Sequence, residues 1–217
     1  LGVSLVLSAL TLFYYGDTLD QQPDHKHKRS IFSLPPKGML VFSLICFTSM
    51  ACENTMYDWS GIYIRQVLHG TKAVATIAFV VYMVAMTTGR LIGDRMADRF
   101  GIQRVLAASG ILISAGFAIT VFSPFIPLTL AGYLLTGFGV SCVVPFVFGL
   151  AGKIPMSNPG AALASISSLG YLGFLLVPPM IGYVAQASSL RVSFGIIAVM
   201  GLFMIRLSTR IKIETVA

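Results

Sequence analysis

Charge is what this sequence has least of. Only 11% of its 217 residues are Asp, Glu, Lys or Arg, against about 25% in an average soluble domain. With 56% hydrophobic residues, a soluble domain of this size cannot hide its apolar surface, so lipid must solvate much of it. Histidine is scarcer still, with three in the chain. His25, His27 and His69 all lie between apolar runs, and no Ser–His or His-Glu-x-x-His spacing occurs. An enzyme site needs a nucleophile–base pair or metal ligands within hydrogen-bond reach, so catalysis is not expected, and no cofactor is implied. The triplet His25-Lys26-His27 has no carboxylate or cysteine framework around it, which leaves no metal site. Cys46, Cys52 and Cys142 stand inside apolar stretches without paired spacing, which argues against a disulfide framework or a zinc site. An initiator Met and a basic leader are also missing. Leu1 stands within an apolar run, and the expectation is a cut inside a larger protein rather than a signal peptide.

What is there is a series of long apolar runs with basic residues in the gaps. A hydrocarbon-spanning helix takes about 20 apolar residues. Leu1–Tyr15 is shorter and reads as the end of a preceding helix; residues 16–36, polar and ending in Pro35-Pro36, read as a surface linker; residues 37–217 read as the transmembrane domain. Six spans are predicted, at roughly 38–66, 73–94, 104–122, 126–150, 160–186 and 190–208. With the linker on the cytoplasmic side, twelve cations fall inside or at the inner boundary. They are Lys26, Lys28, Arg29, Lys37, Arg90, Arg95, Arg99, Arg104, Lys153, Arg206, Arg210 and Lys212. Arg65, Lys72 and Arg191, the remaining three of the 15, fall outside. That asymmetry satisfies the positive-inside bias and puts linker and C-terminus in the cytoplasm of a cell with this chain in its plasma or inner membrane. The same placement assigns the basic surplus to a membrane face rather than to nucleic acid.

Between the second and third spans stands Gly89-Arg90-Leu91-Ile92-Gly93-Asp94-Arg95-Met96-Ala97-Asp98-Arg99-Phe100-Gly101-Ile102-Gln103-Arg104. If the second helix continues to Asp98, Arg90 and Asp94 are one turn apart and are expected to pair. Gly101 supplies a tight turn. This stretch resembles the signature loop of the major facilitator superfamily (MFS), a Gly and then Asp-Arg-x-Gly followed by basic residues. Asp98-Arg99-Phe100-Gly101 matches its core. Gly93 lies one residue further from Asp98 than in the usual pattern, and Ile102-Gln103 stand where basic residues are expected, leaving Arg104 to serve. The Gly-rich run around Gly132, Gly137 and Gly139 with Pro145, and Gly170-Tyr171-Leu172-Gly173 with Pro178-Pro179, are similar to helices 10 and 11 of that family. The resemblance implies an all-α membrane fold, the C-terminal six-helix half (helices 7–12) built as a 3+3 inverted repeat, with an absent N-terminal six-helix half as its partner. It also implies a conformational latch built from Gly93, Asp94, Arg95, Asp98, Arg99, Gly101 and Arg104.

Within the spans, Glu53 and Asp58 are the acids away from the inner boundary. A charge at the bilayer centre costs about 2.5–3.5 kcal/mol on insertion scales, so each should face a cavity or a partner. The stretch from Cys52 to Tyr63 gathers carboxylates, amide, hydroxyls and aromatics, the mixture a sugar site needs. Proton coupling needs a carboxylate whose pKa burial raises towards neutrality. Counted from residue 38, Glu53 is about 15 residues, or roughly 22 Å, into its helix, past the midplane. Asp58 falls near the outer boundary. The expected solute and ion site is therefore Glu53, Asn54, Asp58 and Trp59. A carboxyl at Glu53 satisfied by a neighbouring helix is the structural alternative, and Tyr82, Tyr133, Ser141 and Tyr171 read as interior packing. The function expected is alternating-access transport of a small polar solute, with proton-coupled sugar symport as the specific form. Multidrug or cation efflux, and a non-transporting membrane scaffold or receptor, are the alternatives.

Overall fold

The computed structural model describes residues 39–153 and 159–211. The expectations for residues 1–15, for the linker 16–36 and for the histidine triplet lie outside the described residues. Seven helices are described: α1 (Leu40–Gln66), α2 (Lys72–Phe100), α3 (Ile102–Phe122), α4 (Ile126–Val140), α5 (Val143–Lys153), α6 (Pro159–Ala187) and α7 (Leu190–Ser208). α4 and α5 together make one apolar span over Ile126–Gly152, so helices stand at all six predicted positions.

Five spans are long and apolar enough to cross a bilayer by length and composition; α1 is not among them. At 27 residues it covers about 40 Å, but Glu53, Asn54 and Asp58 dilute its apolar character. Its position compensates. α1 is packed by α2, α5, α6 and α7, so most of its surface meets protein and not lipid. The helix pairings exchange under a two-fold operation: α1 on α6 matches α4 on α2, α3 on α4 matches α7 on α1, and α3 meets α7. Two three-span units account for that pattern, the first α1–α3 and the second α4/α5–α7.

Boundaries differ from expectation in two places. α2 does not end at residue 94; it runs to Phe100 and stops only where Gly101, at φ +84°, donates its N–H to the Ala97 carbonyl. The acidic and basic residues there are compatible with helix, and leaving the apolar layer does not require leaving the helix. The span 126–150 is also broken, at Ser141-Cys142. Pro145 has no N–H and so cannot bond the carbonyl four residues back, that of Ser141.

Loose helix ends are tied by side chains of other helices. The last carbonyls of α3 are orphans of helix geometry. Tyr63 Oη donates to Thr120 O at 2.7 Å, and Arg191 Nη1 donates to Val121 O at 3.2 Å. Gln103 Nε2 donates to Ser208 O at the end of α7, at 3.3 Å.

Candidate functional site

Glu53 is residue 14 of the 27 in α1, at the middle of the helix. Two groups meet Glu53 Oε1: Tyr57 Oη donates to it at 2.9 Å, and Arg90 Nη2 lies 3.7 Å away. Tyr57 is itself held edge-on by Phe79 and Tyr82, each with ring centroids 6.0 Å from its own.

Arg90 therefore does not pair with Asp94. Asp94 is exposed, one turn nearer the end of α2, whereas Glu53 has 15% of its side chain exposed and needs a counter-charge far more. Arg90 lies ten residues before the end of α2, which continues to Phe100. Its guanidinium has a second task. Nε donates to Ser141 O at 3.2 Å, the carbonyl that Pro145 leaves without a helical donor. One side chain thus joins the carboxylate of α1 to the break between α4 and α5. Among the described residues this is the one ion pair.

Asn54 performs the same service on the other flank. Its Nδ2 donates to Phe174 O at 2.6 Å, and Phe174 lies four residues before Pro178 in α6. The amide replaces the N–H that proline lacks. Trp59 packs on α6 at Gly182, where an added Cβ would come within 3.0 Å of the indole. Its Nε1 is buried without a hydrogen-bond partner. Asp58 is exposed and borders two open grooves. One, of about 480 Å³, lies between α1 and α6 and is lined by Asn54, Asp58, Trp59, Phe174, Leu175 and Pro179 among others. The other, of about 450 Å³, lies between α1 and α2 and includes Tyr57, Arg65 and Lys72. The four expected site residues thus share one helix, but Glu53 turns to α2 and Asn54 to α6. Tyr82 and Tyr133 are buried, whereas Tyr171 is 57% exposed on α6, a correction to its reading as interior packing: it shares the α6 face of Leu175, which turns away from the core.

The expected latch residues divide sharply. Asp94, Arg95, Asp98, Arg99 and Arg104 are exposed, and among the described residues none forms an ion pair; Arg99 lies over the Phe100 ring at 5.4 Å. Gly93 is buried. A Cβ there would overlap Cys142 Sγ, and one on Gly89 would stand 2.7 Å from Ser141 Cβ. These two glycines let α2 press against the α4/α5 break, and Cys142 Sγ donates to Gly89 O at 3.1 Å.

Arg90, Tyr57 and Ser141 were missed as site residues. The signal for Arg90 was present: an acid within an apolar helix demands a cation, and Arg90 is the cation farthest from either end of its helix among the described residues. Cys46, Cys52 and Cys142 are buried and free.

The family model described as Major Facilitator Superfamily matches residues 39–212. An uncharacterised MFS-type transporter of Yersinia pestis is 32% identical over 197 residues, covering 91% of this chain and 51% of the relative. Membrane protein MosC of Rhizobium meliloti is 34% identical, over 83% of this chain and 45% of its own length. The chain thus spans about half the length of the relatives it matches. Among solved structures, the MFS transporter FucP in the outward conformation aligns with TM-score 0.73 at 18% identity, over 94% of this chain and 53% of that one. Another FucP structure is described as that of the E. coli fucose:proton symporter. At such identity the likeness is one of fold.

Proposed function

The chain belongs to the Major Facilitator Superfamily, and from that premise we propose that it forms one half of a proton-coupled transporter of small hydroxylated solutes such as sugars. Proteins of this family and the relatives matched here are transporters and not enzymes. The absent half supplies the facing wall, and the two halves rock about a midplane site. The linker and C-terminus lie in the cytoplasm, and the protein sits in the plasma or inner membrane.

The observation that carries this reading is the Glu53–Arg90 pair at the middle of α1, with Arg90 also on the Ser141 carbonyl. An ionised Glu53 holds the guanidinium between α1 and the α4/α5 break. A proton on Glu53 removes the charge that Arg90 answers, and the link between α1 and the break loosens. Protonation is thereby tied to movement of one helix against another, which coupling requires. The symporter named among the structural neighbours is consistent with this and does not carry it. Efflux of cations is disfavoured, because the charge on Glu53 is already answered by Arg90 and a cationic drug would have to displace a guanidinium.

The exposed charges of Asp94, Arg95, Asp98, Arg99 and Arg104, with Gly93 and Gly101 shaping the backbone, form the latch that engages the absent half. They have no ion-pair partner among the described residues, as groups awaiting another domain would.

The test uses the full-length protein in proteoliposomes, wild type against Glu53→Gln, with labelled sugars, hexitols and a lipophilic cation. Wild type should accumulate a sugar or hexitol down an imposed proton gradient. Glu53→Gln should lose accumulation yet keep exchange across the membrane without a gradient. Undiminished accumulation by Glu53→Gln would sink the coupling role.

A further inference from the structure

Pro178 and Pro179 stand together in the middle of α6, which remains helical through them. Each proline removes one N–H, and the consequences for the two preceding carbonyls differ. Phe174 O loses its donor four residues on and regains one from Asn54 at 2.6 Å. Leu175 O loses more. Its donor four residues on would be Pro179, and the donor three residues on, which a tighter turn would use, would be Pro178. Among the described residues no side chain donates to it, the nearby amide of Asn54 being committed to Phe174.

An unanswered carbonyl at membrane depth is tolerated where it lines a cavity. Leu175 does so: with Pro178, Pro179, Asn54, Asp58 and Trp59 it borders the groove of about 480 Å³ between α1 and α6. Trp59, in the same wall, holds an indole N–H without an acceptor. The groove therefore offers acceptors at Leu175 O and Asp58 beside the flat aromatic wall of Trp59, whose Nε1 is itself buried from solvent.

Resting on the transport reading above, we propose that this groove is a binding subsite for one end of a polyhydroxylated solute, with the Leu175 carbonyl accepting a hydroxyl proton and Trp59 receiving the ring face. A sugar offers hydroxyl protons to these acceptors and an apolar ring face to the indole at once. A dianion would face the Leu175 carbonyl and Asp58 with no cation in the groove. A quaternary cation has no proton to donate to the carbonyl.

The two prolines separate this subsite from a general role of the kink. In Pro179→Ala the new N–H reaches Leu175 O and takes the place of the solute. In Pro178→Ala it reaches Phe174 O, which Asn54 already serves. Both substitutions favour helix, so neither threatens folding. With full-length protein in proteoliposomes and labelled hexose and hexitol, Pro179→Ala should raise KM about tenfold, the loss of one hydrogen bond to solute. Pro178→Ala borders the same groove, but its new N–H meets a carbonyl already served by Asn54, so it should raise KM clearly less than Pro179→Ala does, and Trp59→Phe should weaken binding while keeping the ring. Equal KM shifts in the two proline variants, or none in either, would overturn the subsite and leave the transport reading standing. Failure of wild type to move any hexose or hexitol would overturn both.

Discussion

Gly93→Ala tests whether this glycine serves packing or latching. Alanine is worth about 1 kcal/mol more than glycine in a helix, so an unconstrained site would gain stability. Here the added methyl overlaps Cys142 Sγ, with Cys142 Cβ at 3.3 Å and Phe146 Cζ at 3.6 Å. Overpacking typically costs about 1–3 kcal/mol; for an overlap this close the upper part of that range, about 2–3 kcal/mol, less the helix gain, leaves an expected net loss of about 1–2 kcal/mol. Because the offending atom is the sulfur, Cys142→Ala in the same chain should return most of that loss. Gly89→Ala makes the contrast. Its methyl meets Ser141 Cβ at 2.7 Å, which Ser141→Ala retains, so removing the hydroxyl alone should not restore stability. The assay is thermal unfolding of the full-length protein in one detergent, where about 1 kcal/mol corresponds to roughly 2–4 °C for a domain of this size. A Gly93→Ala protein that melts at or above the wild-type temperature would refute the close approach, as would a double variant no better than the single.

Two further outcomes follow from the same backbone arguments. Asn54→Leu strips Phe174 O of its donor and should cost about 1–3 kcal/mol, the penalty of a buried unsatisfied group; adding Pro178→Ala restores a helical N–H and should recover the loss in the same melting assay. Gly101→Ala should cost about 1–3 kcal/mol by strain alone, since φ is +84° and an added Cβ meets nothing within 4 Å; a melting temperature equal to wild type would show that the turn at Gly101 relaxes freely.

How much was legible depended on range. Span number and most span limits follow from local composition. Ile126 and Leu190 begin their helices where predicted, because hydrocarbon admits only helices of a certain length and charge marks their ends. The membrane class, the family resemblance and the unusual acids of α1 were readable for the same reason. Glu53 stood out because a carboxylate among apolar residues is costly wherever the chain folds.

What the sequence left open was which groups answer one another. Arg90 had acids nearby in sequence, and Glu53, 37 positions away, won it because burial and not spacing sets the need for a counter-charge. Asn54 gives its amide N–H to the proline-freed Phe174 carbonyl of α6, a partner that spacing along the chain does not announce. Gly93 matched a signature motif, yet its neighbour is Cys142. Local composition fixes where a chain must be helical and which groups are expensive to bury. Only the packing of α1 between α2 and α6 decides which partners satisfy them, because those partners come from helices that meet side by side in space.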